Sequence, residues 1–112
     1  MIKLDAVPPS VNALYRNVPG VGRVKTQKYE QWIRSTGFEV IAQRPKAIEG
    51  RYHLTIRAER TGKRRDLDNI LKALNDLLVK VHIVEDDSKM ESVTASWSDD
   101  VEGCEIELKE AA

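Results

Sequence analysis

Apolar and polar positions alternate along this chain with two different periods, and the change from one to the other marks its elements. Ile2, Leu4 and Ala6 alternate with Lys3 and Asp5, which predicts a half-buried strand. Pro8-Pro9 ends it, because proline offers no N–H to a ladder. Ser10 to Gly22 reads as a loop, broken by Pro19-Gly20 and Gly22 and carrying Asn12, Tyr15, Arg16 and Arg23. Thr26 is then a candidate helix cap, with Glu30 completing an approximate capping box. Tyr29, Trp32, Ile33, Thr36 and Val40 follow the stripe of a helix packed on one side, and Gly37 weakens its propensity. Trp32 lies on that stripe, so its ring is expected to face the core.

After Arg44-Pro45, Tyr52, Leu54, Ile56 and Ala58 alternate with Arg51, His53, Thr55, Arg57 and Glu59, the clearest strand in the chain. His53 falls on the polar phase without a partner at metal-ligand spacing and reads as a solvated strand residue. From Asp68 to Val79, Ile70, Leu71, Leu74, Leu77 and Leu78 make a second helical face. A short apolar run, Val81 to Val84, leads into the acidic turn Glu85-Asp86-Asp87-Ser88. Val93, Ala95 and Trp97 predict a third strand, Asp99 to Gly103 a turn, and Cys104, Ile106 and Leu108 a fourth strand. The order β-α-β-α-β-β predicts an α/β (α+β) fold: a mixed sheet with a C-terminal antiparallel hairpin, and helices packed on it.

Composition adjusts this picture in three ways. At 112 residues the chain is expected to form one domain, 1–112, with a modest core. Aromatics make up only 5% and charged residues 32%, so burial against a second copy would help the fold. The lone Cys104 has no internal disulfide partner, no apolar run is long enough to cross a bilayer, and no basic-then-apolar leader opens the chain. A cytoplasmic protein with no membrane partner is the expectation.

The zero net charge hides an uneven distribution. Residues 1 to 65 hold 14 Lys and Arg against 5 Asp and Glu, and residues 66 to 112 hold 4 against 13. Such asymmetry points toward nucleic acid, unless the fold interleaves the two halves and cancels their fields. Both readings stand on charge alone.

The switch falls inside Lys63-Arg64-Arg65-Asp66-Leu67-Asp68, where cations run into carboxylates at the start of the second helix. In an extended segment Asp66 and Asp68 point to the same side. A helix of about 18 Å followed by a short run gives the acidic turn enough reach to bring Asp87 back to the helix start. Three carboxylates in one site repel one another, and a divalent cation relieves that repulsion. Oxygen ligation without neighbouring His or Cys favours Mg2+, with Mn2+ also suited. Such a metal activates water and polarises a phosphoryl group, while Lys72, one turn past Asp68, is placed to stabilise the transition-state charge or protonate the leaving oxygen. Lys63, Arg64 and Arg65, together with Asn12 and Arg16 of the early loop, suit a sugar-phosphate backbone. The plainer alternatives are that Asp66 caps the helix, that Asp68 and Lys72 form a surface i, i+4 pair, and that Asp86-Asp87 is a hydrophilic turn.

Arg64-Arg65-Asp66-Leu67-Asp68-Asn69 with Lys72, followed by Asp86-Asp87 beyond the helix, resembles the RusA family of crossover (Holliday) junction endodeoxyribonucleases. Pro8-Pro9-Ser10-Val11-Asn12 with Tyr15-Arg16 is similar to the family's amino-terminal signature. The resemblance implies a homodimeric, magnesium-dependent resolvase that binds four-way DNA junctions and nicks strands of like polarity symmetrically. It implies metal binding by Asp66, Asp68 and Asp87, an essential cation at Lys72, and DNA contact by Arg65. Asp87 is preferred to Asp86 because its distance from Asp66 matches the family pattern. Where the family often has glycine in the turn after the second helix, this chain has Val81-His82, and Glu85 makes that turn unusually acidic. A junction-binding module of the same fold without cleavage, and a small dimeric protein that binds another protein through its charged faces, are the alternatives from other classes.

Overall fold

The alternation at Tyr52, Leu54, Ile56 and Ala58 becomes the central strand of the sheet, with all four side chains buried. The computed structural model describes residues 1–10, 14–60 and 67–111. Among these the order is β1 (Ile2–Leu4), β2 (Tyr15–Val18), β3 (Gly22–Lys25), α1 (Gln27–Ala42), β4 (Tyr52–Glu59), α2 (Leu71–Lys80), β5 (Met90–Ser98) and β6 (Cys104–Glu110). A 3-10 turn at Leu67–Ile70 leads into α2, and another at Asp87–Lys89 leads into β5.

Four strands form one mixed sheet in the order β1-β6-β4-β5, with β4 parallel to β5 and antiparallel to β6. A mixed sheet, helices packed on it and an antiparallel hairpin are all present, as expected for the class. The hairpin is elsewhere, however. It is β2–β3, within and just beyond the segment expected to be a loop, turning at Pro19–Val21 with Val21 N–H donating to Val18 C=O at 3.0 Å.

The last two strands do not pair with each other, which corrects the predicted C-terminal hairpin; they flank β4, because α2 returns the chain parallel to β4 on one side and β6 fills the other. The connection between them passes the end of β4. There Glu59 N–H donates to Gly103 C=O at 2.8 Å, and Gly103 N–H donates to the Glu59 carboxylate at 2.9 Å. Gly103 has φ +69°, and a Cβ on it would sit 2.0 Å from the Leu4 carbonyl oxygen, so β1 crosses here only because the side chain is missing.

The helices cover the apolar face of the sheet. Thr26 caps α1, its hydroxyl accepting from Tyr29 N–H at 3.2 Å, as its sequence position suggests. Tyr29, Ile33, Thr36, Gly37 and Val40 are the buried stripe of α1, and Trp32 is half-buried, stacked on Tyr29 with centroids 6.2 Å apart. Gly37 marks a close approach: a Cβ there would meet Val81 Cγ1 at 3.2 Å, so α1 settles against the end of α2. Ile70, Leu74, Leu77 and Leu78 are fully buried beneath, and truncating any of these leucines to alanine would cost about 2–5 kcal/mol. No helix among the described residues is long and apolar enough to cross a membrane.

The opposite face of the sheet is polar and open. Cross-strand pairs join the two halves of the chain there: Arg57 with Glu105 at 3.3 Å and Arg51 with Glu91 at 3.5 Å, while Arg60 reaches Asp99 at 2.9 Å just beyond the strands. His53 Nδ1 lies 2.6 Å from Ser92 Oγ on this face, a strand residue in the role its polar phase suggests.

Candidate active site

The exposed side of α2 carries Lys72, Asp76 and Lys80 at four-residue spacing, which stacks them one turn above another. Facing them across α1 are Ile33, Gly37, Phe38 and Ile41, and the two helices enclose a groove of about 790 Å³. Asp86 and Asp87 from the turn after α2, and Lys25 from β3, complete its wall. Phe38 is 70% exposed and Ile41 55%, so the groove has an apolar lip beside its charged end.

Lys72 and Asp76 organise that charged end. Lys72 Nζ lies 3.1 Å from Asp76 Oδ1, while Asp76 Oδ2 accepts from Tyr29 OH at 2.5 Å and from Tyr15 OH at 3.2 Å. Tyr15 and Tyr29 meet edge to face at 5.9 Å, and the Arg23 guanidinium lies over the Tyr15 ring at 4.1 Å. Burial, then the hydrogen bond to Asp76, pushes the Tyr29 phenol well above its ordinary value, and burial also raises Tyr15. The bond to Asp76 also raises Lys72, with a smaller contribution from the charge of Asp87, so its ammonium stays charged. Asp86 is held below the usual carboxylate range by hydrogen bonds from Ser88, whose hydroxyl is 3.0 Å away, and from Asp87.

The fold thus brings two of the sequence-predicted site residues, Lys72 and Asp87, to one groove. Asp68 lies on the 3-10 turn before α2, exposed and outside the groove lining. The surface pair between Asp68 and Lys72 is not made: Lys72 turns to Asp76 instead. Arg16 is exposed on β2. Asn12, Lys63, Arg64, Arg65 and Asp66 lie outside the described residues, and with them the trio that needs Asp66.

Among the described residues no three His, Cys, Asp or Glu side chains gather as a metal site. The donors at this end of the groove are carboxylate oxygens, the chemistry of a hard divalent cation, although His82 also lines the wall. Cys104 is buried in the sheet and its thiol is pushed up to about 12 by burial, so it offers no nucleophile.

Sequence reasoning passed over Asp76, Tyr29, Lys25 and His82. For Asp76 a signal existed, because it follows Lys72 by four residues on a predicted helix. For Tyr29 none did: its place on the apolar stripe predicts burial, and only the fold shows that its hydroxyl reaches α2.

No curated protein matches the chain. The family model of endodeoxyribonuclease RusA matches residues 6–109, a span that takes in both helices, the groove and most of the sheet. With nearly its whole length matched, the chain belongs to the RusA family, endodeoxyribonucleases that act on Holliday junctions.

Proposed function

We propose that residues 1–112 act as a single nuclease domain that resolves four-way DNA junctions by metal-dependent phosphodiester hydrolysis, a homodimer placing paired symmetric nicks. The observation that supports this most is the groove shared by Lys72 and Asp87, two residues 15 positions apart with opposite charge and complementary roles in phosphoryl chemistry. A four-way junction requires two cuts, and a two-fold dimer offers two identical sites to a symmetric substrate.

In this reading Asp66, Asp68 and Asp87 hold Mg2+, or Mn2+ in its place. Held there, the ion would supply Lewis acidity toward water and the phosphoryl group. The rest falls to side chains. Lys72 keeps its proton and offers fixed positive charge to the in-line transition state, or a proton to the departing oxygen. Arg16, Lys63, Arg64, Arg65 and Asn12 grip the backbone on either side of the scissile bond. The chain works in the cytoplasm, a reducing compartment that its free Cys104 suits.

The test is incubation of labelled four-way junctions with the protein in Mg2+ or in EDTA, beside a linear duplex of the same sequence. Paired nicks on the junction in Mg2+ alone are the expected result; an intact junction under every divalent metal would overturn the proposal. The same assay separates a second reading, a junction-binding module of the same fold without cleavage. Junction binding that survives in EDTA, with no nicking under any divalent metal, selects it.

A further inference from the structure

A lysine on an open helix face samples many rotamers, whereas a cation that acts on one phosphoryl oxygen must be held to a fraction of an ångström. Here Asp76 restricts it. Its Oδ2 is fixed by two phenol hydroxyls, from Tyr29 of α1 and Tyr15 of β2, which leaves Oδ1 directed at the Lys72 ammonium. Tyr29 is itself 1% exposed, so the carboxylate is anchored to the core and not to a mobile neighbour. Lysine before aspartate at i, i+4 is the weaker order for helix stability, so the pair is poorly explained as a helix staple. The other side of the network reaches the hairpin, because the Tyr15 ring that donates to Asp76 also carries the Arg23 guanidinium on its face.

We propose that Asp76 is the positioning residue of this site: it holds the Lys72 ammonium at the groove. The assignment of a purpose to Lys72 rests on the nuclease reading; the tether itself does not.

Two measurements on the full chain test the idea. The first follows the Lys72 ε-carbon by NMR through its titration, with no DNA present. Asp76→Asn is expected to bring its midpoint down from above the ordinary 10.5, and Asp76→Glu to restore it in part. The second is single-turnover nicking of a four-way junction in Mg2+, with junction affinity measured separately in EDTA. Asp76→Asn is expected to slow nicking roughly 10- to 100-fold while affinity stays within about twofold, and to add nothing once Lys72→Ala is present. Tyr29→Phe and Tyr15→Phe, which keep their rings, should shift both readings the same way by less; they decide the matter if Asp76→Asn does not fold.

An unmoved Lys72 titration in folded Asp76→Asn, or an undiminished loss on the Lys72→Ala background, would overturn the tether. If the wild-type chain nicks no junction, it is the nuclease reading that fails, and the titration still decides whether Asp76 positions Lys72.

Discussion

His82 holds a left-handed conformation, φ 62°, at the end of α2, a position where a side chain costs energy and glycine does not. Its N–H donates to Val79 C=O at 3.1 Å and the next N–H, from Ile83, to Leu78 C=O at 3.0 Å, so the helix closes as it would around a glycine. The Val81-His82 departure from the family's glycine, visible in the sequence, therefore leaves the turn intact and makes it more costly. His82→Gly is expected to stabilise the chain by about 0.5–1 kcal/mol, less than the full left-handed penalty because glycine also loosens the unfolded chain. Urea unfolding measures it, and a loss of stability would mean that the His82 side chain contributes contacts that outweigh its backbone strain. Gly103 is the reverse case. Gly103→Ala would force a methyl against the backbone of Leu4 and Asp5, and a loss of more than about 2 kcal/mol is expected in the same assay.

Between elements, the network around Asp76 joins β2, α1 and α2, and it is expected to make the fold less stable at alkaline pH. Tyr29 is raised from its ordinary 10.0 chiefly by burial, so the folded chain keeps a proton that the unfolded chain gives up. Its contribution is present in full below pH 10 and is lost as pH climbs above that value. Raised Tyr15, Tyr52 and Lys72 act in the same direction over the same range. Unfolding free energy measured from pH 8 to 11 should fall above about pH 10, and fall less steeply in Tyr29→Phe. An identical slope in the variant would mean that the phenol is not buried against Asp76.

The elements themselves were legible to different degrees. β4, α1 and α2 announce themselves through strong periodicity, and the acidic turn does return to the flank of α2. The β2–β3 hairpin escapes notice because Arg16, Asn17 and Arg23 are polar and exposed, leaving no alternation to read. The pairing of β5 and β6 was misjudged because adjacency in sequence favours a hairpin, and nothing in their pattern reveals that β4 takes the place between them.

For the molecule as a whole, the fold settles much of what the uneven charge distribution left open. On the open face of the sheet Arg51 and Arg57 are matched by acids from the second half of the chain, and Arg60 likewise at its edge. Their fields cancel there, and exposed pairs of this kind add little stability. The hairpin differs: Arg16 makes no ion pair among the described residues and stays exposed. DNA binding is therefore expected to depend on the hairpin. Arg16→Ala should reduce the slope of log affinity against log salt by about 1, whereas Arg57→Ala should leave it unchanged. Equal effects from the two would place the DNA on the sheet face instead.

Asp87, and not its neighbour Asp86, is expected to serve phosphodiester hydrolysis in the groove that holds Lys72. Single-turnover nicking of a four-way junction in Mg2+ by Asp87→Asn and Asp86→Asn tests it most directly. A loss of about 100-fold or more is expected for Asp87→Asn with junction binding retained, and only a few-fold loss for Asp86→Asn. Nicking by Asp87→Asn at the wild-type rate would contradict it.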